Sequence, residues 1–234
     1  MRPSDALIIL QARVGSSRLP SKSLRPLGGV TLVARCLERL LAGGAAPLVL
    51  ATTERAEDDA LQDEASALGV PCLRGSDADV LGRFAQVVDV LGPAYVVRAT
   101  GDNPAVDIDA PGRVLDHLRR GGVDYVVEHG LPVGGAVEGM RAESLLRAAR
   151  EAVHPDDREH VTTYIKRPDH RFRVLMPLAP AHVRAPYLRL TVDTGEDFAF
   201  MEQVLQQAGG RSARVPLAGI IRAAERVQSR RQVA

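Results

Sequence analysis

Residues 6 to 24 read ALIILQARVGSSRLPSKSL, an apolar run followed by a long polar loop that carries three cations, Arg13, Arg18 and Lys22. The run ALIILQA has the length and apolar continuity of a strand buried on both faces. A helical pattern does not resume until Thr31, and a loop of that length between strand and helix is unusual in an α/β unit. It leaves the carboxyl end of the strand, the edge at which open α/β sheets bind ligands. Gly15, Ser16 and Ser17 free backbone amides there, and Arg and Lys beside them can wrap a polyphosphate. The loop is not a Walker loop, because Ser21 precedes Lys22 and the chain passes Pro20 and Pro26 instead of running straight into a helix. A basic surface loop is the plainer reading of the same residues.

Outward from this stretch, strand-length apolar runs alternate with segments of 3.6 periodicity. The strands are ALIILQA, PLVLATT, PCLRG, AYVVRAT and DYVVEH; the helices between them span Thr31 to Ala42, Glu57 to Leu68, Ala78 to Leu91 and Ala110 to Arg120. That rhythm predicts an α/β fold of three layers, with a mostly parallel sheet and right-handed crossovers, over residues 6 to 128. The rhythm then changes. GLPVGGAVEG, 130 to 139, is glycine-rich and aperiodic and reads as a loop; 141 to 152 reads as a helix. RFRVLM (171 to 176) and YLRLTV (187 to 192) alternate apolar and polar residues as strands do. Helices follow at Glu196 to Gln207 and Pro216 to Val227, with SRRQVA as a frayed tail. A single domain over 1 to 234 is expected, with 6 to 128 as the α/β half, 129 to 195 as an accessory region with its own strands, and 196 to 234 as C-terminal helices.

Composition narrows the function classes. Thirty basic side chains against 29 acidic ones leave a net charge of +1, so no global field favours nucleic acid or an anionic membrane. The apolar runs are far shorter than the roughly 20 residues of a membrane-spanning helix, and the apolar stretch near Met1 is too short for a secretion signal. A cytoplasmic protein is the expectation. Cys36 and Cys72 lack the spacing of a zinc or redox pair and read as free thiols.

Two aspartates stand out. Asp102 follows the strand AYVVRAT and a glycine, which places its carboxylate at the same sheet edge as the loop of residues 12 to 24. Beside a triphosphate site, a carboxylate suits Mg²⁺, which takes one or two protein carboxylates together with phosphate oxygens. Asp102 capping the turn before Asn103 and Pro104 is the alternative. Asp193 ends LRLTV in the same manner and precedes Thr194 and Gly195. Ser76, Asp77 and Asp79 stand just before a helix, where capping and ligand binding are both open. Arg158, Glu159 and His160 form a polar triplet ahead of an apolar helix starting at Val161; a solvent-facing ion pair explains them as well as a site does. The other five histidines lack a metal-ligand spacing.

QARVGSSRLPSKSLRPLGG, RGSDADVLGRF, VVRATGDNPAVD, REHVTTYI and LRLTVDTGEDF together resemble the cytidylyltransferases that activate acidic or unusual sugars. The likeness is to the branch of the spore coat polysaccharide biosynthesis protein F, with CMP-Kdo and CMP-sialate synthetases as distant relatives. The resemblance implies a Rossmann-like, GT-A-like nucleotidyltransferase domain that takes CTP, uses Mg²⁺, joins CMP to a sugar or sugar-like acceptor and releases pyrophosphate. Nucleotide contacts would come from Gln11, Ala12, Arg13, Gly15, Ser16, Arg18 and Lys22, with Arg74, Ser76 and Thr100 further along. Arg18, Lys22, Asp102 and Asp193 would be catalytic, the two aspartates as the metal ligands. Glu138, Arg158 and His160 would bind the acceptor. Relatives often dimerise through the segment after the central sheet, which leaves a homodimer as an open expectation. A glycosyltransferase using a nucleotide sugar and a non-catalytic nucleotide-binding descendant are the alternatives.

The chain departs from the family pattern in two places. Ser21 stands where the family usually has Gly. Val133 stands where a motif on the acceptor side has Arg, with Gly134 in the place of its Gly, and Ala136 replaces its acidic residue, while Glu138 is retained. Loss of that Arg removes a charge-assisted hydrogen bond of roughly 1.5 to 3 kcal/mol and points to an atypical acceptor, such as a less acidic sugar, a phosphonate or a specialised-metabolite intermediate.

Overall fold

A computed structural model describes residues 5–16, 18–210 and 212–233. In chain order the elements are β1 (Ala6–Gln11), β2 (Pro26–Leu27), β3 (Val30–Thr31), α1 (Leu32–Gly43), β4 (Leu48–Thr53), α2 (Asp59–Ala67), β5 (Cys72–Gly75), α3 (Val80–Leu91) and β6 (Tyr95–Thr100). Then come α4 (Ala110–Arg119), β7 (Tyr125–Val127), β8 (Glu138–Arg141), α5 (Ala142–Glu151), α6 (Pro155–His160), α7 (Thr163–Lys166), β9 (Val174–Leu175), α8 (Gly195–Gln207) and α9 (Leu217–Val233).

Seven strands form one sheet in the order β5-β4-β1-β6-β8-β7-β9. β1 lies at its heart, parallel to both β4 and β6. Ala6 to Leu10 are all buried, as an uninterrupted apolar strand between two helical layers must be. One face packs on α1, α4, α8 and α9 through residues such as Ile8, Leu37, Val114, Met201 and Ile220. The other packs on α3, α5, α6 and α7 through Ile9, Phe84, Val96, Leu145 and Ile165. The three-layer α/β expectation holds.

Local signals set the helix ends. Thr31 accepts from the Ala34 amide at the start of α1, and Gly44 closes it in the left-handed region. Asp79 caps α3 by accepting from Gly82, so capping accounts for one of the three polar residues before that helix. Thr194 and Asp197 form a reciprocal capping box on α8.

The second half departs from expectation in five ways. Glu138 and Gly139 belong not to a loop but to β8, which runs antiparallel to β6 and β7 and makes the sheet mixed. EGMR carries no β-branched residue, so nothing in its composition marks a strand. Of RFRVLM, Val174 and Leu175 alone pair, as an edge strand parallel to β7. YLRLTV forms no ladder strand: Leu188, Leu190 and Val192 are buried, but Arg189 makes an isolated bridge to Val133 and Val192 donates to the Asp102 carbonyl. Arg158, Glu159 and His160 lie inside α6, which ends where the next helix was expected to begin, at Val161 with φ 60°. Finally, α9 continues to Val233 through most of the supposed tail; Ala234 is outside the described residues. Both cysteines are free, and among the described residues no helix is long and apolar enough to cross a membrane.

Candidate active site

The loop after β1 is fastened to the body at several points. Asp58, fully buried, accepts from the Val14 amide at 2.7 Å and the Thr53 amide at 3.2 Å, and also from the Thr53 hydroxyl. Ser23 donates its hydroxyl to the Arg13 carbonyl at 2.9 Å, and Val14 and Leu19 are buried. Ser21 has φ 53° and ψ 28°, the left-handed conformation that favours glycine, which gives the family's usual Gly at this position a physical reason. Immediately after it, a 3-10 turn begins at Lys22.

The facing wall is the end of β6. A Cβ on Gly101 would lie 2.8 Å from the Ala12 Cβ, so the glycine lets the turn of Asp102 close against the loop. Thr100 donates its hydroxyl to Asp102 Oδ1 at 2.6 Å, and Asn103 Nδ2 donates to that hydroxyl at 2.7 Å. The Asp102 carbonyl accepts from Val192 N at 2.8 Å and from the Thr191 hydroxyl at 3.2 Å. This pairing brings Asp193 beside Asp102, 91 positions earlier in the chain.

The two carboxylates converge on one cation. Lys22 Nζ lies 3.4 Å from Asp102 Oδ2, 3.2 Å from Asp193 Oδ1 and 2.9 Å from the Val192 carbonyl oxygen. Asp193 also accepts from Arg18 Nη2 at 2.9 Å and Arg189 Nη2 at 2.7 Å. Burial pushes its carboxyl up, but Lys22, Arg189 and Arg18 outweigh that and hold it below the ordinary aspartate range. Lys22, which a basic surface loop would leave exposed, keeps 14% of its side chain accessible. No cluster of three or more His, Cys, Asp or Glu side chains able to hold a metal occurs among the described residues. Two carboxylates aimed at a shared point, with other ligands left to phosphate and water, fit the needs of Mg²⁺.

A cavity of about 410 Å³ opens over this pair. Gln11, Ala12, Arg13, Gly15, Ser16, Arg18, Lys22, Thr100, Asp102, His160 and Asp193 line it, eleven residues singled out from the sequence. Ser17 lies outside the described residues. Four other candidates lie elsewhere. Arg74 donates to the carbonyls of Thr53 and Arg55 and pairs with Asp59, bracing β5 against β4. Ser76 is exposed, and its carbonyl accepts from Arg83. Arg158 is turned away, clamping the Ala149 carbonyl to Asp79 at the start of α3, because α6 winds it onto the face opposite the cavity. Glu138 lies behind the wall, paired with Arg98 and accepting from Tyr125 OH, Thr162 Oγ1 at 2.8 Å and Lys166 Nζ at 3.2 Å. Burial raises the Glu138 carboxyl, yet Arg98 and Lys166 hold it down to about 2. Residues 130 to 139 do not line the cavity: Val133 is half-exposed and hydrogen-bonds the segment 188 to 190.

The cavity also has walls made by residues that lie within the quoted motifs but were not singled out as site residues. Arg98 reaches it from β6, held by Gln11 Oε1 at 2.9 Å, and Arg83 and Glu159 join it from α3 and α6. An arginine inside the apolar strand AYVVRAT was the visible signal for Arg98, since a charge in a strand buried on both faces needs a partner or a ligand.

A family model described as Cytidylyltransferase matches residues 7–216. The spore coat polysaccharide biosynthesis protein SpsF of Bacillus subtilis is 36% identical over 214 residues, covering 89% of this chain and 89% of that protein. A cytidylyltransferase structure from Leptospira borgpetersenii superposes with a TM-score of 0.86 at 25% identity, covering 97% of this chain and 96% of that one. A CMP:2-keto-3-deoxy-manno-octonic acid synthetase solved with CTP shares the fold, with a TM-score of 0.66 at 16% identity over 87% of this chain and 99% of that chain. The family match takes in the loop after β1, both converging aspartates and everything between them, so the chain belongs to the cytidylyltransferase family and is a nucleotidyltransferase.

Proposed function

We propose that the protein transfers CMP from CTP to a hydroxyl of a sugar or sugar-like acceptor, releases pyrophosphate, and uses Mg²⁺ held by Asp102 and Asp193. The observation that carries this reading is the convergence of both carboxylates on a single cationic point at the mouth of a loop bearing Arg13, Arg18 and Lys22. The acceptor oxygen attacks the α-phosphorus in line; the new P–O bond forms as the bond to pyrophosphate breaks, and the hydroxyl proton passes to solvent. Arg18 and Lys22 offset the charge that develops on the leaving pyrophosphate, and Arg13 steadies the loop through Asp77. Mg²⁺, when bound, withdraws charge from the phosphate oxygens and lowers the pKa of a coordinated hydroxyl. Positioning and electrostatics supply most of the rate. His160 and Glu159 face the acceptor end of the cavity. Glu138 acts at one remove by holding Arg98, and the acceptor stays one that does not require an Arg at position 133.

The test is a pair of substitutions. Asp102→Asn and Asp193→Asn keep the shape of each side chain and remove the charge that attracts the ion. Each should reduce Mg²⁺-dependent pyrophosphate release to background in a folded protein. Near-normal turnover with unchanged metal dependence in either variant removes that residue from the proposed metal site.

A further inference from the structure

Lys22 cannot bind a phosphate in the conformation observed. An ammonium has three N–H donors and no more, and those of Lys22 face Asp102, Asp193 and the Val192 carbonyl. Its ammonium occupies the point on which both carboxylates converge, the place a divalent ion would take. We propose that Lys22 is the resident counter-ion of the aspartate pair and is displaced when nucleotide and divalent ion arrive together, so that lysine and metal exclude each other at one position. The inference rests on the cytidylyltransferase reading and adds to it an order of events.

Composition supports this assignment. Of the 30 lysine and arginine residues only two are lysines, Lys22 and Lys166. Lys166 shares Glu138 with Arg98; at its other ion pairs the chain mostly uses the planar fork of arginine, as at Arg113 with Asp107 and Glu128. A compact ammonium, like a metal ion, is a point charge that draws converging oxygens, whereas a planar guanidinium is not. The backbone at Lys22 is set by the 3-10 turn and by its amide's bond to the Leu19 carbonyl at 3.2 Å, which leaves the flexible four-carbon side chain to make the exchange. Asp193 keeps Arg18 and Arg189 when Lys22 departs. Asp102 keeps the Thr100 hydroxyl, so neither carboxylate loses every partner.

A free divalent ion must then compete with an intramolecular cation and binds the nucleotide-free enzyme weakly. A triphosphate offers the displaced ammonium new acceptor oxygens, so each ligand raises the affinity for the other. Removing Lys22 should therefore improve metal binding in the absence of nucleotide, an outcome opposite to that of a lysine that merely supports the site.

The experiment measures Mn²⁺ binding to nucleotide-free protein by electron paramagnetic resonance of the free ion. Lys22→Met should bind Mn²⁺ about tenfold or more tightly than wild type, and adding Asp102→Asn to that variant should abolish the gain. Equal or weaker binding by a Lys22→Met protein with the wild-type circular dichroism spectrum overturns the exchange. A second arm needs no variant at position 22. Wild-type protein carrying ¹⁵N-lysine has two side-chain ammonium signals, assigned with Lys166→Arg. Mg²⁺ with CTP should shift the Lys22 signal and Mg²⁺ alone should leave it in place; a Lys22 signal unmoved by Mg²⁺ with CTP overturns the exchange even if Lys22→Met does not fold. Failure of wild type to bind CTP at all, by calorimetry, brings down the underlying reading and the exchange with it, and is distinguished by that separate measurement.

Discussion

Glu138→Gln should destabilise the protein in a pH-dependent manner. The carboxylate is 14% exposed and engages Arg98, Lys166, Tyr125 and Thr162. Glutamine keeps the volume and an acceptor oxygen for Tyr125, but leaves two cations short of their counter-charge. In the folded protein the carboxyl titrates at about 2 instead of the ordinary 4.5, which at ~1.4 kcal/mol per pH unit amounts to about 3 kcal/mol. In a chain of this size that corresponds to a fall in Tm of roughly 6 to 12 °C. Because the folded value lies below the unfolded one, this stabilisation is complete above about pH 4.5 and is lost as the pH falls toward 2. Urea unfolding of wild type and Glu138→Gln at pH 7 and at pH 3 checks both parts: the difference should be near its full value at pH 7 and clearly smaller at pH 3. A difference below about 1 kcal/mol at pH 7, or one that does not shrink at pH 3, refutes the claim that a buried ionised carboxylate holds Arg98 in place.

Two further substitutions probe the backbone. Ser21→Gly relieves a left-handed serine and should raise stability by about 0.5 to 1 kcal/mol, the relief exceeding the entropy that glycine adds to the unfolded chain; chemical denaturation showing a loss would mean that the Ser21 side chain contributes more than its conformation takes away. Gly43→Ala would place a Cβ 2.1 Å from the Ile108 carbonyl oxygen, and since backbone cannot step aside cheaply, a loss of about 1 to 3 kcal/mol is expected; a wild-type Tm would show that α1 and the turn before α4 can separate without penalty.

The first half of the fold was legible because its central strands are apolar runs closed by polar turns, and α1 and α3 open on side-chain caps and close on left-handed glycines. Asp102 was legible for a related reason, since it follows the end of β6 and a turn glycine; the same pattern marks Asp193, although the residues before it form no strand. The pairing of Arg98 with Glu138 was not legible, since it is a cross-strand register between β6 and β8, and β8 itself has no β-branched residue to mark it; Glu138 is named only through the family resemblance, and for the acceptor. Arg158 misled in the opposite sense. Its triplet reads as one motif, but a helix turns successive residues to different sides, so His160 faces the cavity while Arg158 clamps α5 to α3. Residues 187 to 192 have strand periodicity because alternate side chains enter the core, yet they lie against loops that offer one bridge and no ladder.

The central claim is tested most directly by pyrophosphate release from each of the four ribonucleoside triphosphates, with Mg²⁺ and a panel of sugar acids, neutral sugars and phosphonates. The account predicts release from CTP in preference to the other three, dependent on an acceptor and accompanied by a CMP-linked product. Release that is indifferent to the base, or that proceeds at the same rate without any acceptor, contradicts it.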